Sequence, residues 1–171
     1  MMRLRRPRRR TSLVGLVVLA ALAWLARESG VWKFPPQPAP SGEWRTIVRV
    51  VDGDTLVLDG DEKVRLIGVN TPESVDPRRP VERFGKEASA FTRRLTQGKR
   101  ARLEYGQERR DRYGRTLAYV YLEDGTFLNA EIIRQGYGFA YTRFPFRYAD
   151  DFRTYEREAR AARRGLWADE D

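Results

Sequence analysis

Two periodicities divide the chain. Residues 46–51 (TIVRVV) and 55–58 (TLVL) are β-branched runs on either side of Asp52-Gly53-Asp54. An Asp-Gly step between such runs predicts a tight hairpin, with glycine supplying the positive φ. Asp59-Gly60-Asp61 marks a second turn before 64–67 (VRLI), so three strands follow as a meander. Val81, Phe84, Ala88, Phe91 and Leu95 then recur at spacings of three and four, the stripe of an amphipathic helix ending at Gly98. Residues 100–105 (RARLEY) alternate as a fourth strand and 116–122 (TLAYVYL) as a fifth, with a charged loop over 106–115 between them. Residues 128–135 (LNAEIIRQ) read as a short helix stopped by Gly136. Phe152, Tyr155, Ala159, Ala162 and Leu166 form a last helical stripe, with Gly165 as its cap. Short strands with helices inserted after the third and fifth predict an α+β, mainly β fold: a five-stranded Greek-key barrel of the OB type with about three packed helices.

Ahead of this domain the texture is different. Residues 3–10 are rich in arginine, and 13–26 (LVGLVVLAALAWLA) carry no charge. A basic n-region followed by an apolar h-region predicts an N-terminal apolar helix that serves as a signal anchor or a cleaved signal peptide. The uncharged run is shorter than the ~20 residues of an ordinary spanning helix. In either case the arginines stay cytoplasmic and the rest is exported: anchored at the membrane outside the cytoplasm, or secreted or periplasmic once cleaved. Residues 34–42 (FPPQPAPSG) make a semi-rigid extended spacer. The expected organisation is 1–30 leader, 31–43 linker and 44–171 catalytic or binding domain.

Charge and composition narrow the chemistry. Of the formal +9, the first 40 residues hold +7, which leaves +2 for residues 41–171. The domain is only mildly basic, so its charge alone is weak evidence for a polyanion partner. The chain has no histidine and no cysteine, which excludes an imidazole base, a thiolate nucleophile, a disulfide framework and a Cys/His zinc site. What remains is carboxylates, guanidiniums, hydroxyls and an oxygen-ligated metal.

Residues 64–73 (VRLIGVNTPE) concentrate that set. Asp52 and Asp54 at the hairpin tip, with Asn70 and Thr71 at a polar corner, offer the oxygen donors that hard cations prefer. Glu73 has the chemistry of a general base for a water molecule. Arg65 and Arg115 are candidates for a paired clamp, because planar guanidinium forks match phosphate oxygens and offset charge that grows in a transition state. Read singly, each has a blander explanation in turn chemistry or a solvated strand face.

Five ordered blocks carry a resemblance: VDGDT at 51–55, VRLIGVNTPE at 64–73, FGKEASAFT at 84–92, DRYGRTLAYVY at 111–121 and LNAEIIRQG at 128–136. From about residue 50 to 167 the chain resembles the staphylococcal nuclease (thermonuclease) family. The resemblance implies an OB-type barrel that hydrolyses DNA or RNA phosphodiesters with Ca²⁺, Mg²⁺ and Mn²⁺ being alternatives. It places Arg65, Glu73 and Arg115 on the family's catalytic trio. It makes Asp54 a direct metal ligand, Thr71 a ligand through its carbonyl, and Asp52 a nearby acid. Asn70 stands where the best-studied pattern has an aspartate, which keeps an oxygen donor but lowers ligand charge and the expected metal affinity. Tyr113 and Tyr141 match aromatic positions beside the nucleotide, and the family's second tyrosine near Tyr141 is replaced by Arg143 or Phe144. Arg78, Arg79 and Arg112 are phosphate-steering positions. The expected partners are single-stranded or unwound DNA and RNA, and the membrane if the leader is retained; no obligate protein partner is implied. Two other readings stand beside the nuclease: a non-catalytic nucleic-acid-binding barrel tethered at the membrane, and a scaffold that docks proteins.

Overall fold

The structure is a computed structural model that describes residues 42–75 and 80–168. The expected leader and the linker up to residue 41, together with Arg78 and Arg79, lie outside these residues. Among the described residues no helix is long and apolar enough to cross a membrane.

Strands β1 (Arg45–Asp52), β2 (Thr55–Leu58) and β3 (Lys63–Leu66) form the expected antiparallel meander. Strands β5 (Arg100–Arg110) and β6 (Thr116–Leu122) pair antiparallel, and the five close into a barrel in the order β1-β2-β3-β6-β5. Closure runs through Arg45 against Ala101 and Thr46 against Arg100. The β3–β6 pairing is parallel, with Arg65 beside Leu117. Parallel neighbours need a long crossover, and the chain between them supplies one. It contains β4 (Val69–Asn70), helix α1 (Gly85–Thr96) and β5. Beyond β6 come α2 (Leu128–Arg134), β7 (Phe139–Ala140), α3 (Ala149–Ala161) and a 3-10 turn over Gly165–Trp167. β4 and β7 make a separate two-stranded ribbon in which Asn70 faces Phe139.

The barrel interior is aliphatic: Leu56, Leu58, Val64, Leu66, Val120 and Leu122 are buried. Asn129 of α2 is buried among them and fully engaged. Its Oδ1 accepts the Val120 amide at 2.9 Å, and its Nδ2 donates to the Ile67 and Ala118 carbonyls at 2.9 and 3.3 Å. One side chain thus satisfies backbone groups where β3 leaves the barrel, groups that would be costly to bury unpaired.

Four expectations need correction. The fourth strand runs on to Arg110 instead of ending at Tyr105, because Arg110 still pairs with Thr116 across an irregular stretch. Beyond the half-buried Gly106 those added residues are exposed, so no apolar alternation marks them. The first helix starts at Gly85, and Val81 is exposed. Its buried face is Gly85, Ala88, Ser89, Thr92 and Thr96, small and hydroxyl residues that allow close approach to the hairpin tip. The aromatic stripe packs sideways instead, with Phe91 stacked on Tyr137 at 4.0 Å between ring centroids. Of the last stripe, Ala162 is exposed just past the end of α3, and Leu166 is buried from the following turn. Gly165 opens that turn rather than capping α3, and a Cβ there would strike the Gly136 carbonyl.

Tyr119, Tyr121 and Tyr148 meet under α3, where both Tyr121 and Tyr148 hydroxyls donate to Glu104. Burial pushes the Tyr119 hydroxyl up to about 12 and raises Tyr121 and Tyr148 as well, with neighbouring Glu104 adding to each. Because the folded values exceed the ordinary 10.0, this stability is complete below that pH and is lost as pH rises through the folded values. In an alkaline titration the tyrosinate absorbance of the buried tyrosines is expected to appear together with the loss of circular dichroism, near pH 12. Tyrosine ionisation that is complete by pH 11 with the fold intact would contradict it.

Candidate active site

The hairpin tip, the end of β3 and the corner after β4 converge through Asp54. Asp52 pairs with Thr55, so the turn itself is Gly53-Asp54. Gly53 is not in the left-handed region that the sequence pattern suggested. It is small for another reason: a Cβ there would lie 2.7 Å from Thr71 Oγ1 and 2.8 Å from Thr71 Cγ2. That contact seats Thr71 over the turn. Asp54, 5% exposed, accepts the Thr71 amide on Oδ2 at 3.0 Å and the Thr55 hydroxyl on Oδ1 at 3.0 Å.

Arg65 projects from β3 between the inward Val64 and Leu66. Its Nη2 sits 2.9 Å from Asp54 Oδ2 and donates to Asn70 Oδ1 at 3.4 Å. Its Nη1 donates to the Leu66 and Val69 carbonyls at 3.1 and 2.7 Å. The guanidinium is therefore pinned by oxygens from three elements, and its side chain keeps 14% exposure. Asp54, Arg65, Asn70 and Thr71 form one connected group.

Glu73 follows two residues after Thr71. Its Oε1 accepts the amides of Ser74 and Val75 at 2.9 and 2.8 Å, which fixes the direction of the carboxylate. Asp52 points toward α1 rather than toward Arg65. Its Oδ1 accepts from the Gly53 amide at 2.9 Å and lies 2.6 Å from Ser74 Oγ and 2.9 Å from Ser89 Oγ. Burial raises the Asp52 carboxyl above the ordinary range against the pull of those hydrogen bonds, and the neighbouring Asp54 charge adds to the rise.

Arg115 lies just before β6, on the same outward face as Leu117, the residue beside Arg65. Asp111 holds it: Arg115 Nε donates to Asp111 Oδ2 at 2.7 Å and its amide to Oδ1 at 3.0 Å. Burial of Asp111 would raise its carboxyl, but the Arg115 bonds outweigh that and hold it below the usual range. The exposed Tyr113 ring lies under two cations, Arg112 at 4.7 Å and Arg115 at 5.4 Å. Tyr141 is half-exposed, its amide donates to Gly68 O at 2.9 Å, and its ring lies 6.1 Å from the exposed Phe144.

The side chains gathered at the Asp54 corner offer oxygen donors, the Asp54 carboxylate and the Asn70 amide oxygen, and among the described residues the buried Thr71 hydroxyl lacks a hydrogen-bond partner. Such a set fits a hard divalent cation. Among the described residues no three acidic, histidine or cysteine side chains cluster as a metal centre, so the ligand charge here is low.

Several residues escaped the sequence reading. Asp111 stood inside a quoted motif, but only the fold shows it as the Arg115 carboxylate. Ser74 and Glu82 stood in no motif, and Ser89 stood inside one without a role. Ser89 had a signal, because Gly85, Ser89, Thr92 and Thr96 recur at spacings of four, three and four, a second stripe of small and hydroxyl residues on α1.

Residues 63–169 match the family described as Staphylococcal nuclease homologue. A thermonuclease of Staphylococcus hyicus is 37% identical over 161 residues, covering 90% of this chain and 95% of that protein. A thermonuclease of Staphylococcus intermedius is 51% identical over 98 residues, 56% of this chain and 58% of that one. Endonuclease YhcR of Bacillus subtilis is 34% identical over 151 residues, 80% of this chain but 12% of that protein.

Proposed function

From the premise that the chain belongs to the staphylococcal nuclease homologues and is a nuclease, a phosphodiester hydrolase, we propose that it makes sequence-unspecific cuts in single-stranded or unwound DNA and RNA outside the cytoplasm, with a divalent cation. The barrel is then of the OB type. The observation that carries the reading is the Arg65 guanidinium, pinned between Asp54, Asn70 and two carbonyls with Glu73 on the same corner.

In this reading Arg65 and Arg115 engage non-bridging phosphate oxygens from neighbouring strands. Their positions are fixed before substrate arrives, so little reorganisation is needed as charge builds on those oxygens. Glu73 accepts the proton of the attacking water, its carboxylate aimed by the Ser74 and Val75 amides. Tyr113 and Tyr141 offer ring faces to bases, which any base can use. Arg112, beside Tyr113, steers phosphates from the rim, as do Arg78 and Arg79. Asp54, Asn70 and the Thr71 carbonyl would hold the cation, Ca²⁺ by preference, with Asp52 near. When bound, the ion supplies further positive charge to the phosphate.

Asn70 favours one second reading, a barrel that binds strands without cutting them, because it removes a ligand charge. The test is cleavage of single-stranded DNA and RNA by the full chain with calcium and then with excess chelator. Cleavage that stops on chelation supports the nuclease. Binding without cleavage in calcium, magnesium or manganese supports the binding module. Asn70→Asp is expected to tighten calcium on the order of tenfold by restoring ligand charge, measured by titration calorimetry; unchanged affinity would remove Asn70 from the ligand set.

A further inference from the structure

We propose that Glu82 and the first two turns of α1 form a positioning arm for Glu73, with Glu82 and Ser89 as its working residues, an inference that rests on reading Glu73 as the proton acceptor. The backbone of Glu73 is gripped from both sides by one residue nine positions later. The Glu82 amide donates to the Glu73 carbonyl at 2.8 Å, and the Glu73 amide donates to Glu82 Oε2 at 3.0 Å. Gly85, whose amide donates to Glu82 O at 3.0 Å, presses on the same carbonyl, since a Cβ on it would lie 2.6 Å from Glu73 O. One turn further along, Ser89 Oγ lies 2.8 Å from Ser74 Oγ and 2.9 Å from Asp52 Oδ1, while Ser74 Oγ lies 2.6 Å from the same Asp52 oxygen.

The consequence concerns the aim of a single carboxylate. Glu73 Oε1 takes its direction from the Ser74 amide, and Ser74 takes its place from Ser89 and Asp52. Neither Glu82 nor Ser89 needs to touch substrate. They hold the acceptor where a displacement of about 1 Å is enough to cost on the order of a hundredfold in rate. Thr92, next on the same face, donates to the Gly53 carbonyl at 2.7 Å. The arm thus ties Glu73 to the same hairpin tip that carries Asp54.

The test uses the full chain on a single-stranded oligonucleotide, with kcat and KM measured for Glu82→Ala, Glu82→Gln and Ser89→Ala, each also combined with Glu73→Gln. Glu82→Ala and Ser89→Ala are expected to lower kcat by about 10- to 100-fold. Glu82→Gln, which keeps an acceptor oxygen for the Glu73 amide, should retain most of the rate, and KM should stay within about twofold in all three. In the Glu73→Gln background neither alanine should lower the residual rate further. Unchanged kcat in both alanine variants overturns the proposal. So does a loss confined to KM, or one of the same size without Glu73, because the residues would then act elsewhere. Full cleavage by Glu73→Gln alone would remove the underlying reading, and the arm's purpose with it, before α1 is touched. Melting temperatures of the same variants identify a loss that follows unfolding: a kcat that recovers on cooling below the transition is structural and counts against the arm.

Discussion

Glu73→Gln is expected to lower kcat on single-stranded DNA by about 10²- to 10⁴-fold, the range for losing a general base, with KM little changed. The substitution is close to isosteric, and the glutamine carbonyl oxygen can still accept the Ser74 and Val75 amides that Glu73 Oε1 accepts now. What it loses is the capacity to take a proton. The loss should therefore appear in the chemical step, with no shift in strand binding and no large fall in melting temperature. Steady-state rates on one oligonucleotide, with binding measured by anisotropy, decide it. A variant that cuts within about threefold of the parent would mean that another group, or bulk hydroxide, takes the proton.

Arg65→Ala should damage both activity and stability, and the two losses separate. Its guanidinium is the charge partner of Asp54 at 2.9 Å, with side-chain exposures of 14% and 7%. Removing one member of a buried pair costs about 3–5 kcal/mol. The low end is expected here, because the Thr71 amide and Thr55 hydroxyl still bind the Asp54 carboxylate. The Leu66 and Val69 carbonyls also lose their donor. Activity should fall by about 10²- to 10³-fold at temperatures where the variant is folded, as for loss of a donor aimed at developing charge. Arg65→Lys restores a cation beside Asp54 but not the fork, so it should recover more stability than rate. Denaturant melts paired with kinetics test this, and equal recovery of both by lysine would count against a bidentate role.

What could be read from sequence followed from how strongly each segment's surroundings constrain it. β2 and β6 were legible because nearly every residue is buried and aliphatic or aromatic. β4 and β7, of two residues each, carry no pattern at that length, and their pairing depends on the long-range return of the chain after α2. The outer half of β5 was missed because a ribbon exposed on both faces has no apolar period. The face of α1 was misjudged for the opposite reason: the close packing is done by Gly85, Ser89 and Thr92, which a hydrophobicity pattern passes over. At the site, the block at 64–73 put Arg65, Asn70 and Thr71 in view. Their convergence on Asp54 needed the hairpin and the ribbon in three dimensions. Gly53 was chosen for the right place but the wrong cause, as its φ is ordinary and its missing Cβ is what Thr71 requires.

The 3-10 turn over Gly165–Trp167 bears on how the site is held. Leu166 and Trp167 pack with Ala159 against Phe84 and Phe139, and Arg83 donates to the Leu166 carbonyl at 3.2 Å. Phe84 and Arg83 immediately precede Gly85, and Phe139 pairs with Asn70. The elements that carry Glu73 and Asn70 are thus braced by a turn far along the chain from both. Every side chain assigned to the site precedes that turn in sequence, so its bracing depends on a long-range contact. A change that loosens this turn is therefore expected to loosen Glu73 and Asn70 without touching either one.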